Sequence, residues 1–262
     1  MNTIPKLTGV IHLPALPASP RFGGSMARIV DGAAADARAL GDAGFEAVIV
    51  ENYGDVPFVP GAASPTTVAC MTACALAVRQ AAPGLALGIN VLRNDAAAAL
   101  GIAAACGAEM IRINVHAGAR VTDQGIVQGE AHRTLRLRRE LGLSAVKLLC
   151  DVAVKHSAAL GDRPLDEEAR DLAERGLADA VLLTGTATGR PVRSADLLAV
   201  VQSVTVPVLV ASGATPDDLP LLRTGHGVIV GSWLRKSGHA GDPIDPERAK
   251  AFADAFLRPR QT

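Results

Sequence analysis

The sequence predicts a (β/α)8 barrel forming one domain over residues 1–262, and three observations carry that expectation. Eight short β-rich apolar runs recur along the chain. Ala/Leu/Arg-rich stretches of helical periodicity separate them, and several connections after the runs are longer than those before them. The 262 residues exceed an ordinary single core but match the usual length of one such barrel. A doubly wound open sheet is the alternative for the same alternation, and eight units in succession favour closure.

The runs lie at 7–13 (LTGVIHL), 47–52 (AVIVEN), 86–92 (ALGINVL), 110–116 (MIRINVH), 145–151 (AVKLLCD), 180–186 (AVLLTGT), 207–213 (PVLVASG) and 227–233 (GVIVGSW). Their spacing suits strand–helix–strand units, which need a crossover between parallel strands. Ile29, Ala33, Ala37 and Leu40 show the helical period of the first intervening stretch. Gly44, Gly107, Gly142, Gly176 and Gly225 follow helical stretches, where a left-handed cap belongs. Thr215-Pro216 reads as an N-cap and first helical residue. The long connections are 53–64, 117–128, 152–164 and 187–193; in a barrel, loops after strands build the functional face.

Composition narrows the function classes. Residues are 49% hydrophobic and 3% aromatic, which suits a barrel interior filled by branched aliphatics. Lys plus Arg equals Asp plus Glu at 26 each, so no electrostatic footprint points to nucleic acid. No apolar run reaches a membrane span and the N-terminus lacks a signal-peptide pattern, so a cytoplasmic location is expected. Cys70, Cys74, Cys106 and Cys150 form no CxxC pair and are expected as reduced thiols. The sequence leaves a homo-oligomer open.

Parallel strands covered on both faces normally read as unbroken apolar runs, so polar residues inside them need a reason. Arg112, Asn114 and His116 alternate with Ile111, Ile113 and Val115, which places the polar three on one face, expected inward. Arg112 is expected to pair with Glu51 or Asp151. Lys147 and Asp151 share a face of the next run, giving a charge pair, a Schiff-base lysine or an acid–base pair. His12, Glu51, Asn52, Asn90 and Thr184 add polar groups at other strand ends. His12, Glu51, His116 and Asp151 could hold a divalent metal, but no HxH or HExxH spacing accompanies them, so no cofactor is predicted and a divalent metal stays the lesser alternative. Ser212-Gly213 and Gly231-Ser232 end the last two runs, where barrels hold phosphate on backbone amides.

The segments GVIHLPALPASPRFGG, VENYGDVPF, LGINVLRNDA, IRINVHAGARVTDQG, DVAVKHS and TGTATG resemble the BtpA/SgcQ family, from about Gly9 to about Phe252. The resemblance implies a barrel of the phosphate-binding type. The family takes its name from a cyanobacterial factor needed for photosystem I accumulation, and another branch accompanies sugar-utilisation enzymes. By matching motif it adds Asp55, Asp123, Gln124, Lys155 and His156 as loop residues around the pocket.

The leading expectation is an enzyme acting on a phosphorylated sugar or nucleoside-like metabolite by general acid–base chemistry. Asp151 is the expected base, with Glu51 or His116 as acid partner; Lys147, a turn of chain deeper on the same strand, is a further catalytic candidate or only neutralises acids. Arg112, Asn114 and Asn90 would position the substrate. On this reading Asp151→Asn stops turnover and leaves folding intact. The alternative is a non-catalytic assembly or regulatory factor that keeps a ligand-binding barrel and shows an exposed apolar patch, which the mixed-charge helices do not obviously supply.

Overall fold

In a computed structural model, which describes residues 3–161, 163–185, 192–211 and 213–258, the chain folds as follows. The elements are β1 (Leu7–His12), α1 (Met26–Ala43), β2 (Ala47–Glu51), α2 (Pro65–Ala81), β3 (Ala86–Asn90), α3 (Ala96–Cys106) and β4 (Met110–Ile113). Then come β5 (Ala119–Thr122), β6 (Gly125–Gln128), α4 (Ala131–Glu140), β7 (Lys147–Asp151), β8 (Ser157–Ala159), α5 (Leu165–Glu174) and β9 (Ala180–Leu183). The chain continues through α6 (Ser194–Ser203), β10 (Val208–Val210), α7 (Leu219–Leu222), β11 (Gly227–Val230) and α8 (Pro246–Leu257).

Eight strands pair in parallel and close in the order β1-β11-β10-β9-β7-β4-β3-β2. Each lies inside one of the eight apolar runs. Local chemistry fixes the helix starts. Ser25, Ser64, Asp95 and Asp245 each accept a backbone N–H of the first turn of α1, α2, α3 and α8, removing donors that a helix start leaves unpaired. Thr215 and Asp218 form a capping box on a short 3-10 turn, as Thr215-Pro216 predicts.

Gly44, Gly107 and Gly142 take left-handed backbones with φ of 92°, 65° and 71°. Gly176 and Gly225 do not. At Gly176 the left-handed residue is Leu177, and the glycine is needed for a close approach, since a Cβ there would sit 2.7 Å from the Leu172 carbonyl oxygen. Gly225 likewise packs under the Val208 carbonyl, 3.1 Å from where a Cβ would be.

Two apolar layers hold the barrel. Residues such as Ile11, Val48, Val50, Leu148 and Val210 face the helices. Val10, Ile49, Leu149, Leu182, Leu209 and Ile229 fill the interior. Alternation then puts His12, Glu51, Asn90 and Asp151 inward one layer above that plug, at the carboxyl ends of the strands.

Two loops form structure that apolar periodicity does not announce. β5 and β6 make a hairpin inside 117–128, and β8 from 157–159 pairs antiparallel with β5, giving a three-stranded sheet in the order β6-β5-β8. Val115, Val127 and Val154 form its own small apolar cluster. Cys74, Cys106 and Cys150 are buried, Cys70 is half-buried, and all four are free thiols. Among the described residues no helix is long and apolar enough to cross a membrane.

Candidate functional site at the barrel mouth

The pair at the centre of the mouth is Arg112 with Asp151. The guanidinium reaches both carboxylate oxygens, with Nη2 at 3.1 and 3.2 Å and Nε at 3.3 Å, and Asn114 Nδ2 donates to the same carboxylate at 2.6 Å. The Asp151 side chain has no exposed surface. Asn90 Nδ2 donates to the Arg112 carbonyl at 3.1 Å and lies 3.4 Å from Asn114 Oδ1. Arg112 is therefore paired as the sequence requires, and burial is offset by Asp151 and Glu51, which hold its charged form. The pairing also changes the reading of Asp151. A carboxylate accepting several donors and closed to solvent is a clamp for Arg112, poorly placed to take a proton from a ligand.

Glu51 differs. Among the described residues its carboxylate accepts no hydrogen bond, and His12 Nε2 stands 3.8 Å from it. The charges of Arg93, Arg112, Lys155 and Arg235 all act on it. His12 is held neutral, its pKa pushed well below the usual value by burial, then by Arg235, Lys155 and Arg112. Its ring lies 4.7 Å from that of Tyr53, and its buried Nδ1 has no partner among the described residues.

Two cations complete the rim. Arg93, beyond β3, is 5% exposed and donates to the Lys155 carbonyl at 2.9 Å, yet it has no ion pair among the described residues. Lys155, beyond β7, also has none. Burial, partly offset by Glu51, pushes its ammonium below the usual lysine range. Three cations, Arg93, Arg112 and Lys155, thus meet two carboxylates, Glu51 and Asp151. Asp123, at the tip of the β5–β6 hairpin, is exposed but close enough to favour the charged forms of Arg93 and His156. Gln124 is hydrogen-bonded to Asp123 beside it.

The opposite arc offers amides. Gly213, Ala214, Ser232 and Trp233 follow the neighbouring strands β10 and β11, and among the described residues their backbone N–H groups find no acceptor. Gly213 is left-handed at φ 66°. A Cβ on Gly231 would stand 3.0 Å from His12 Cε1, so glycine lets the turn and the imidazole approach. Ser212 lies outside the described residues.

Several sequence-based candidates stand elsewhere. Lys147 faces inward but at the base of β7, about 13 Å of strand below Asp151, where it pairs with Asp179 at 3.3 Å. Leu149 lies between, in the interior plug. His116 leaves the mouth because β4 stops at Ile113 and the alternation stops with it. Its Nε2 lies 2.8 Å from the Gly176 carbonyl beyond α5, and burial keeps the ring neutral. Asn52 is occupied by the backbone: Leu92 N–H donates to its Oδ1 at 2.7 Å, and its Nδ2 reaches Asp55 at 3.1 Å. Asp55 in turn accepts the Leu16 N–H at 2.7 Å. Thr184 donates to the Ala153 carbonyl at 2.7 Å and fixes the loop that carries Lys155. His12, Glu51, His116 and Asp151 therefore do not converge, and no group of three metal-ligating side chains occurs among the described residues.

Sequence reasoning missed Arg93 and Arg235. Arg93 sits in the quoted segment LGINVLRNDA, just past Asn90; a charge that soon after a strand is the available signal. Arg235 is fully buried and donates to the carbonyls of Val10, Gly231 and Asp242, tying the ends of β1 and β11 together.

A closed parallel barrel with charges and free amides gathered above its carboxyl ends defines the class: a (β/α)8-barrel protein with a polar C-terminal mouth. This chain belongs to the BtpA family, whose sequence profile matches residues 3–258. It is 44% identical over 252 residues to the Synechocystis protein named Photosystem I biogenesis protein BtpA, covering 95% of this chain and 86% of that one. It is also 44% identical over 258 residues to an uncharacterized Thermococcus kodakarensis protein, covering 98% and 97%. Among solved structures it resembles N-(5'-phosphoribosyl)anthranilate isomerase from Pyrococcus furiosus, with a TM-score of 0.57, 15% identity and 96% and 98% coverage. That likeness shows the fold.

Proposed function

We propose that the mouth binds a small phosphorylated metabolite and acts on it by acid–base chemistry, with Glu51 as the proton-transferring group. The observation that carries this reading is the pairing, among the described residues, of four backbone amides without an acceptor on one arc with a carboxylate that accepts no hydrogen bond on another. Backbone N–H groups at strand–helix turns favour anions without any side-chain charge, and barrels use the turns after the last two strands for phosphate. Glu51 is available to hold or release a proton, whereas Asp151 keeps Arg112 in place. Structural relatives named for phosphorylated compounds, such as the thiamine phosphate pyrophosphorylase from Pyrococcus furiosus, support the reading by analogy of fold. A thermal-shift screen of phosphorylated metabolites beside their dephosphorylated counterparts tests it. A bound ligand raises the melting temperature as RT ln(1 + [L]/Kd), and shifts confined to phosphorylated compounds are expected. Equal shifts with the dephosphorylated compounds end the reading.

A second reading, an assembly factor, draws on the outer face of the three-stranded sheet. Val121 and Ile126 are cross-strand partners there, Val121 also pairs with Ala158, and Leu160 follows two residues on. Val121, Ile126 and Leu160 are 42%, 57% and 57% exposed. Charged replacements on that face would abolish assembly on this reading and leave ligand-induced shifts untouched.

A further inference from the structure

The barrel order places the two anion-attracting regions opposite one another. The free amides follow β11 and β10, second and third in the ring β1-β11-β10-β9-β7-β4-β3-β2. Arg93 and Lys155 follow β3 and β7, which flank β4 on the far side of the same ring. Arg112 on β4 lies between them and is already neutralised by Asp151. Arg93 is 5% exposed, its buried Nε has no hydrogen-bond partner among the described residues, and Asp151, Asp123 and Glu51 act on it only from beyond ion-pair distance, so a further anion beside Arg93 and the half-buried Lys155 would offset a desolvation cost the protein leaves standing. Glu51 alone cannot serve both, because it contacts neither within ion-pair distance among the described residues.

Resting on the phosphate reading above, we infer that the ligand is anionic at both ends: a phosphate on the amides of Gly213, Ala214, Ser232 and Trp233, and a second anionic group, carboxylate or phosphate, between Arg93 and Lys155. The second group lies on the arc next to Glu51, so the bond or proton that Glu51 addresses is close to that second anion. A sugar phosphate lacking a second negative group leaves Arg93 and Lys155 unmatched.

Calorimetric titration tests this with paired probes on the full chain. Glycerol 3-phosphate is compared with 3-phosphoglycerate, which adds a carboxylate, and fructose 6-phosphate with fructose 1,6-bisphosphate, which adds a phosphate. At least one doubly anionic probe is expected to bind about tenfold or more tightly than its monophosphate, the gain of one charge-assisted contact. The pair that shows the gain tells whether the second group is carboxylate or phosphate. Arg93→Gln and Lys155→Met are each expected to cut that gain to about twofold. Should Arg93→Gln fail to fold, Lys155→Met carries the test. Monophosphates that bind with no gain from a second anion, or a gain that survives Lys155→Met, overturn the two-ended ligand alone. Failure of every phosphorylated probe to bind overturns it together with the phosphate reading.

Discussion

The two ends of the barrel treat charge in opposite ways. At the base each carboxylate has its partner. Asp179 receives Arg138 at 2.8 Å, Lys147 at 3.3 Å and the Leu148 N–H at 2.9 Å. Glu109 receives Arg79 at 2.7 Å and the Leu87 N–H at 2.7 Å, and Glu46 receives the Lys6 N–H at 2.7 Å. At the mouth, among the described residues, Arg112 and Asp151 are closed in this way, while Arg93 and Lys155 have no ion pair and Glu51 has only the neutral His12 at 3.8 Å. Paired charges at the base serve the fold, since each one caps a strand or a loop end. Charges left without an ion pair above the plug carry a desolvation cost, and on the function proposed above the ligand's anions offset it.

The largest expected effect breaks the mouth. Glu51→Gln removes the proposed proton carrier and should lower turnover of an identified substrate by about 10²–10⁴-fold, with the melting temperature nearly unchanged. A variant that retains full turnover returns the site to a binding role. Asp151→Asn should behave differently from the sequence expectation, because it takes the counter-ion from a buried arginine. A stability loss of about 3 kcal/mol by chemical denaturation is expected. An unchanged midpoint would mean that Arg112 finds Glu51 instead.

At the base, Asp179→Ala strands two cations and a backbone donor and should cost about 2 kcal/mol, with ligand affinity untouched. A smaller, pH-dependent effect sharpens the comparison further. Burial lowers the pKa of both His12 and His116, so the unfolded chain takes up protons first as pH falls below 6.5. Stability should therefore be flat above that pH and decline below it, read as urea midpoints between pH 7.5 and 5.5. His116→Gln should flatten part of that decline. The smallest effect is Lys147→Met, under about 1 kcal/mol, because its ion pair is 31% exposed on the lysine side. Loss of turnover in that variant would place Lys147 back in the reaction.

The strand pattern was legible because branched apolar residues must fill two layers, and all eight runs carry a barrel strand. The polar alternation of Arg112 and Asn114 was legible for the same reason. It misled at His116, since periodicity shows a face but not where β4 ends. Lys147 was legible on its face and below Asp151; the apolar plug between them, with Leu149 in it, was not. Which end of a strand opens into the mouth follows from direction, and Lys147 begins its strand. Arg93 and Lys155 lie beyond strand ends, where no period operates and only the folded loops bring them together. The sheet β6-β5-β8 stayed hidden because its strands are three or four residues long and come from two separate loops.

That sheet has a consequence for how the barrel can be altered. Arg120 points inward to the Val152 carbonyl and Glu168, while its neighbour Val121 points out. Insertion of a single residue before β5 would exchange those two faces and bury Val121 in place of the guanidinium. The loops 117–128 and 152–164 are therefore one exchangeable cassette. A graft that transplants either without the other delivers a mismatched edge, whereas a graft of both carries Lys155 and the hairpin into a new barrel already in register.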